Sequence, residues 1–180
     1  MLITDILQQW NSGDQEALNR LMPVVRERLY QLAEYHLQNE SVKVLQPTEL
    51  LNEVYLRLSE YRHPNFRDRK HFFGAASTLI RRILVDLSRR MRAGKRDLTL
   101  LVQDFPIDSA PNNGIIDLEA LDAALEKMAL LDARQARIVE LRYFAGFSIV
   151  ETAQLLDISA STVKRDWDVA KAWLKRELTK

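Results

Sequence analysis

Residues 147–178 read FSIVETAQLLDISASTVKRDWDVAKAWLKREL, and the spacing of polar and apolar side chains along them predicts two helices joined by a tight turn. Ser148, followed three residues later by Glu151, forms a capping-box signature, in which hydroxyl and carboxylate each accept a backbone N–H at a helix start. It opens a short helix with Ile149, Ala153, Leu155 and Leu156 on its buried side. The turn Asp157-Ile158-Ser159 follows, and Ser159 suits the N-cap of a second helix whose inner face is Val163, Trp167, Ala170 and Leu174. Helices so joined make a helix-turn-helix. The first braces across a DNA backbone while the early turns of the second enter the major groove, which is wide enough to admit a helix. Ser161, Thr162, Lys164, Arg165 and Asp168 fall on the early outward part of that second helix, within reach of base edges or phosphates. Lys164 and Arg165 are the strongest candidates, arginine because its two parallel donors match a guanine edge. Lys171, a turn or two on, is placed for phosphate.

Upstream of this motif the pattern stays helical. The chain has 180 residues with five glycines and five prolines, and 47% of its residues are hydrophobic, enough for packed cores in one ordinary domain or two small ones. An opening helix is expected over about Thr4–Trp10. Asp14 caps a second with the stripe Ala17, Leu18, Leu21, Val25, Leu29 and Leu32. Pro47, a residue favoured in the first helical turn, starts a third that buries Leu50, Leu51, Val54, Leu56 and Leu58. After the polar loop YRHPNFRDRK a long fourth helix runs from about His71 to Arg92. Asp97 to Asn113, with Pro106, Pro111, an Asn-Asn-Gly turn signal and several acids, reads as a linker. Beyond it LEALDAALEKMALL is amphipathic, Ala133–Phe144 forms another helix, and Gly146 ends it. The fold class expected is therefore all-α, with no strand pattern competing. Two small helical domains are expected, 1–96 and 117–180, joined by a linker over 97–116.

Charge is segregated. The formal net charge is +1, yet residues 62–96 carry 11 basic residues against Asp68 and Asp86, a net +9, and residues 97–133 carry one basic against 8 acidic, a net −7. Residues 1–61 sum to −4 and 134–180 to +3. Two basic blocks separated by an acidic one suit a polyanion contacted in two places. There is no cysteine, which excludes disulfides, thiolate metal sites and a thiol nucleophile, and His36, His63 and His71 lack ligand spacing. No glycine-rich phosphate loop and no histidine paired with carboxylates is present, so an enzyme is not expected, nor a cofactor or a metal. No apolar run approaches the roughly 20 residues that cross a bilayer, and the N-terminus lacks a signal pattern, so no membrane insertion and a cytoplasmic location are expected.

The chain resembles the bacterial RNA polymerase sigma factors of the extracytoplasmic-function (ECF) group, particularly their ECF-like subfamily. The resemblance is carried by LQPTELLNEVYLRL, HFFGAASTLIRRILVDLSRRMRAGKR, LDARQARIVELRYFAGFSIVETAQLL and DISASTVKRDW, in the family's order and spacing over nearly the whole chain. It implies that the first domain is sigma region two and the second region four, with no region-three domain between. The helix over Thr48–Leu58 would then dock on the clamp helices of the polymerase's largest subunit through Thr48, Glu49, Asn52, Glu53, Tyr55 and Arg57. The basic helix would melt and hold the minus-ten element. The loop with Asn65, Phe66, Arg67, Arg69 and Lys70 would read an extruded base, and Arg81, Arg82, Arg89 and Arg90 would meet the backbone. Phe66, Phe72 and Phe73 offer rings for stacking on unpaired bases, although core packing suits Phe72 and Phe73 at least as well. Region four would read the minus-thirty-five duplex.

Two departures from the family pattern stand out. Many members have a run of acids where this chain has Gln46-Pro47-Thr48-Glu49, which weakens attraction to a basic clamp surface. Thr48 is accordingly a candidate phosphosite, since phosphate adds about −1.5 to −2 charges at a helix N-terminus. The tryptophan common near the start of the minus-ten helix is also missing. The partners implied are core RNA polymerase and promoter DNA, with an anti-sigma factor or a Ser/Thr kinase as candidate regulators. The competing reading is a stand-alone helix-turn-helix transcriptional regulator, which explains the C-terminus equally well but not the basic, aromatic-containing helix of the first domain.

Overall fold

The computed structural model describes residues 3–37, 46–62, 64–93, 100–101, 115–116 and 118–179. Helix α1 (Ile3–Asn11) turns into α2 (Glu16–Leu37) through Gly13, whose φ of 100° is open to a residue without a Cβ. Asp14 starts α2 as expected, its Oδ1 accepting the Glu16 N–H at 3.0 Å, and its other oxygen pairs with Arg20, which holds the carboxyl below its usual value. Pro23 lies inside α2 and withholds a backbone donor there. Helix α3 (Pro47–Ser59) packs on α2, and α4 (Arg69–Ala93) closes the first unit. Asp68 sits before α4 and accepts the His71 N–H at 2.8 Å, so the helix begins two residues earlier than expected. The loop between α3 and α4 is held by Asn11, whose amide donates to Phe66 O at 2.7 Å and accepts the Phe66 N–H at 3.0 Å.

Most of the expected linker lies outside the described residues. What is described of it departs from the all-helix expectation: Leu100–Leu101 (β1) and Ile115–Ile116 (β2) form an antiparallel two-residue pair, Leu100 opposite Ile116. Two residues are too few to show alternation, so no strand period was there to read.

The second unit comprises α5 (Leu118–Leu131), α6 (Ala133–Val139), a π-helical segment Glu140–Phe144, α7 (Ile149–Leu156) and α8 (Ala160–Leu178). Asp132 caps α6 by accepting the N–H groups of Arg134 and Gln135, both at 3.0 Å. The expected single helix Ala133–Phe144 is thus an α-turn run that widens, with Ala145 N–H reaching back five residues to Glu140 O at 3.2 Å. Gly146 ends it at φ 60°. The fold is all-α in two helical units. Trp10, Leu21 and Phe72 anchor the first core and Leu125, Ile138 and Leu174 the second, and the two join across α4 into one apolar cluster. Leu56 is a correction. It was expected inside but is 56% exposed, because the buried stripe of α3 is Leu50, Leu51, Val54 and Leu58. The Leu32 side chain lies outside the described residues.

Candidate nucleic-acid interface

The helix-turn-helix is formed by α7 and α8, with both expected caps in place. Glu151 N–H donates to Ser148 Oγ at 3.2 Å and Ser148 N–H to Glu151 Oε2 at 2.8 Å, a reciprocal box. Asp157 then takes a left-handed conformation, φ 55°, which reverses the chain. Ser159 Oγ accepts the Thr162 N–H at 3.1 Å. On the inner side of α8, Val163, Trp167, Ala170 and Leu174 are buried. On α7 Thr152 and Ala153 are buried, and Ile149, Leu155 and Leu156, expected inside, are partly buried and pack against the core.

On the outer side of α8, Ser161, Lys164, Arg165 and Asp168 are exposed and Thr162 is partly so. The hydroxyls of Ser161 and Thr162 each lie 2.8 Å from Ser159 Oγ, so they serve the cap as well as the surface. Lys171 is less available than its position predicts. Its side chain is folded back to Asp168 at 3.1 Å and over the Trp167 ring at 5.7 Å. Arg142 also lies over that ring, 4.8 Å from the centroid, and burial lowers its guanidinium pKa. Periodicity gave no hint of Asp166, a buried acid that takes Arg134 at 2.7 Å and Arg165 Nε at 3.4 Å. It steers Arg165 along the helix. The signal that could have found it is an acid at a position between two inward-facing residues.

The minus-ten candidates are not gathered so cleanly. Asn65, Arg67, Arg69, Arg82, Arg89 and Arg90 are exposed around the start and along one flank of α4. Arg69 covers the Phe73 ring at 5.3 Å. Lys70 is paired with Asp157 of the helix-turn-helix turn. Phe66 is a correction: it is buried, with Trp10, Tyr61, His71 and Phe72 rings around it at 5.4 to 6.5 Å, so it offers no open face to a base. Phe72 and Phe73 are buried as well. Arg81 is the second correction. It was expected on the DNA backbone, yet its side chain is 11% exposed and lies 3.4 Å from both Asp122 and Glu140. Burial holds the Asp122 carboxyl above its usual range despite that arginine.

On α3, Thr48, Glu49 and Asn52 are exposed, and Glu53, Tyr55 and Arg57 are half-buried. Glu49 Oε2 accepts the Gln46 N–H at 2.7 Å, which gives it a capping role beside any contact role. Arg57 donates to Glu53 at 3.0 Å and faces Asp86 at 3.7 Å, and Tyr55 donates its hydroxyl to Asn19 at 2.8 Å. Thr48 is the second residue of α3. No group of three or more His, Cys, Asp or Glu placed to hold a metal occurs among the described residues, and no described helix is long and apolar enough to cross a membrane.

Comparison with known proteins gives two matches. A family model described as "ECF sigma factor" matches residues 1–180. The chain is also similar to the ECF RNA polymerase sigma factor SigW of Bacillus subtilis (strain 168), 21% identical over 187 aligned positions that cover 99% of this chain and 97% of that protein.

Proposed function

The chain belongs to the ECF sigma factor family, and from that premise we propose how its two helical units share the work of directing promoter-specific transcription. The family is not an enzyme class, and its members bind core RNA polymerase and promoter DNA. Chemistry stays in the polymerase. The observation that carries the finer reading is the capped second helix of the helix-turn-helix, with Lys164 and Arg165 exposed on its first turns.

In this reading residues 1–96 act as region two, 97–116 as the linker and 117–180 as region four. Helix α8 enters the major groove of the minus-thirty-five element, where Ser161, Thr162, Lys164, Arg165 and Asp168 face bases and phosphates and Lys171 swings out to the backbone. The exposed flank of α4 with Arg82, Arg89 and Arg90, and the loop with Asn65, Arg67, Arg69 and Lys70, hold the opened minus-ten strand. The outer face of α3 with Thr48, Glu49, Asn52 and Glu53 docks on the clamp helices of the largest polymerase subunit, in the cytoplasm. The exposed Leu56 adds an apolar contact to that face. Exposure of Thr48 in the first turn of α3 supports it as a phosphosite for a Ser/Thr kinase: Thr48→Glu is expected to bind core polymerase more tightly than Thr48→Ala, and equal affinities remove the role of charge. An anti-sigma factor would act by covering the same surfaces.

Transcription reconstituted with core polymerase, with the transcript starts sequenced, tests the whole reading. Start sites absent with core alone are expected. If none appear with either the protein or Thr48→Glu, the polypeptide acts as a regulator on duplex DNA and not as a polymerase subunit.

A further inference from the structure

Helix α8 carries an acid that the DNA contacts proposed for it leave unused. Asp166 is 4% exposed, although it directly follows Arg165 and lies two residues after Lys164. A carboxylate taken out of water needs partners, and Asp166 has two. Its Oδ2 accepts from Arg134 Nε of α6 at 2.7 Å, and its Oδ1 accepts from Arg165 Nε at 3.4 Å. The two bonds differ in kind. Arg134 ties the carboxylate to a second helix, whose start is itself fixed where Asp132 accepts the Arg134 N–H. Arg165, with its side chain 68% exposed, leans on that fixed carboxylate from the outside.

Arg165 is thus held through Nε, partway along its side chain. A guanidinium engaged there still presents its two terminal nitrogens as a parallel pair, the edge that matches guanine O6 and N7. Among the described residues, no other hydrogen bond or ion pair takes up those terminal nitrogens. Lys164 is the contrast, an exposed ammonium that no described residue bonds or pairs with.

We infer that Asp166 is a positioning residue for sequence recognition: by holding Arg165 Nε it fixes the guanidinium before DNA arrives, and so sets which base the terminal pair reaches. The inference rests on the major-groove role proposed above for α8. Two features argue for it beyond the geometry. Pre-arranging a long side chain removes part of the ordering cost that a free one meets on binding. The sign of the charge points the same way, because a carboxylate beneath a DNA-binding surface repels phosphate, and it lowers the joint charge of Arg134, Arg165 and Asp166 from +2 to +1. Attraction alone has no use for that acid, whereas aim does. Nor does Asp166 need Arg165 as a counterion, since Arg134 is already at 2.7 Å.

Asp166→Asn separates aim from attraction. It keeps the shape and one side-chain oxygen for Arg134, the nearer partner, while its amide N–H groups face Arg165, a donor, and let it go. The full-length protein is assembled with core polymerase and mixed with a duplex library randomised over the upstream element, and the captured duplexes are sequenced. Relative to the parent, Asp166→Asn is expected to lose about tenfold of its preference at one base position, the weight of a two-bond arginine contact. Binding to duplex of arbitrary sequence should stay level or tighten, because a negative charge has gone. Arg134→Met with Asp166→Leu frees Arg165 by another route, since apolar residues of similar volume hold a fold as well as a buried ion pair does. It should lose the same preference, with urea unfolding checking that both variants are folded. In an Arg165→Ala background, Asp166→Asn should change the preference no further, because it acts through Arg165.

Equal preference in the parent and both variants overturns the inference and leaves Asp166 a core ion pair. So does a further loss in the Arg165→Ala background, or a fall in affinity shared by every sequence with the preference intact, which is what damaged packing of α8 produces. If the parent with core polymerase selects no upstream sequence at all, the recognition role of α8 fails first and the positioning role falls with it.

Discussion

Helices α4 and α8 are both basic and both assigned to DNA, yet they hold their charges differently. On α8 the inner stripe Val163, Trp167, Ala170 and Leu174 settles into its own unit, and Lys164 and Arg165 are left facing out. On α4 two faces are covered, one by its own core and one by the neighbouring unit, and Arg81 is held in internal ion pairs. A positive count along a helix therefore does not measure the charge it can offer a polyanion. What decides is how much of the helix circumference is left uncovered.

The sharpest way to break this contrast is Phe66, which belongs by sequence to the reading loop of α4 and by structure to the core. Phe66→Ala should lower stability by about 3–5 kcal/mol, as for other buried aromatic truncations, measured by urea unfolding. A variant as stable as the parent that no longer holds single-stranded minus-ten DNA would move the ring back to the surface and to base stacking.

The exposed end of the contrast is tested on α8. Lys164→Ala and Arg165→Ala should each remove about 1–3 kcal/mol of discrimination among upstream sequences, read by competition with base-substituted duplexes. Uniform weakening across all sequences would make them phosphate contacts only. Ser159→Ala should cost about 1 kcal/mol of unfolding free energy, because the Thr162 N–H loses its acceptor and the hydroxyls of Ser161 and Thr162 lose their tie to the cap. An unchanged urea midpoint would mean that the start of α8 is fixed by packing alone. On α4, Arg89→Ala and Arg90→Ala should each lower the salt slope of promoter binding by about 1 with little change in sequence choice. If they relaxed specificity as Lys164→Ala does, the two helices would not differ in kind.

How legible each helix was in the sequence follows from the range of the interactions that fix it. The caps of α7 and α8 act over three residues, between Ser148 and Glu151 and between Ser159 and Thr162, so a local pattern reveals them. The inner stripe of α8 repeats at helical spacing and was readable for the same reason. The packing of α5 and the π segment on α4 could not be read. Gly74 meets Arg137, and Arg81 meets Asp122 and Glu140, across dozens of residues and through the expected linker, and an arginine in an internal pair looks the same in sequence as one in solvent. Phe66 was misplaced because its loop is polar on both sides, and what holds its ring inside is distant in sequence: the two backbone hydrogen bonds shared with Asn11 and the ring of Trp10. The π segment escaped because one extra residue in a turn leaves the apolar spacing almost unaltered.

Asp122 gives the smallest effect and the finest test of how α4 is covered. Burial is the leading cause that raises its carboxyl above the ordinary 3.8, against the pull of Arg81, with Glu126 raising it further and Arg89 and Arg82 lowering it. The folded chain therefore keeps this proton at a pH where an exposed aspartate has released it. Folding is favoured by this group below the ordinary value, loses that contribution as pH rises through the raised value, and is indifferent to pH above it. Asp122→Asn is neutral throughout and cannot respond. As pH rises above the ordinary carboxylate range, the unfolding free energy read by urea unfolding should fall more in the parent than in Asp122→Asn. Parallel slopes would mean that the Asp122 carboxylate is as well solvated beside Arg81 as in the unfolded chain, and that α5 rests on α4 without excluding water from it.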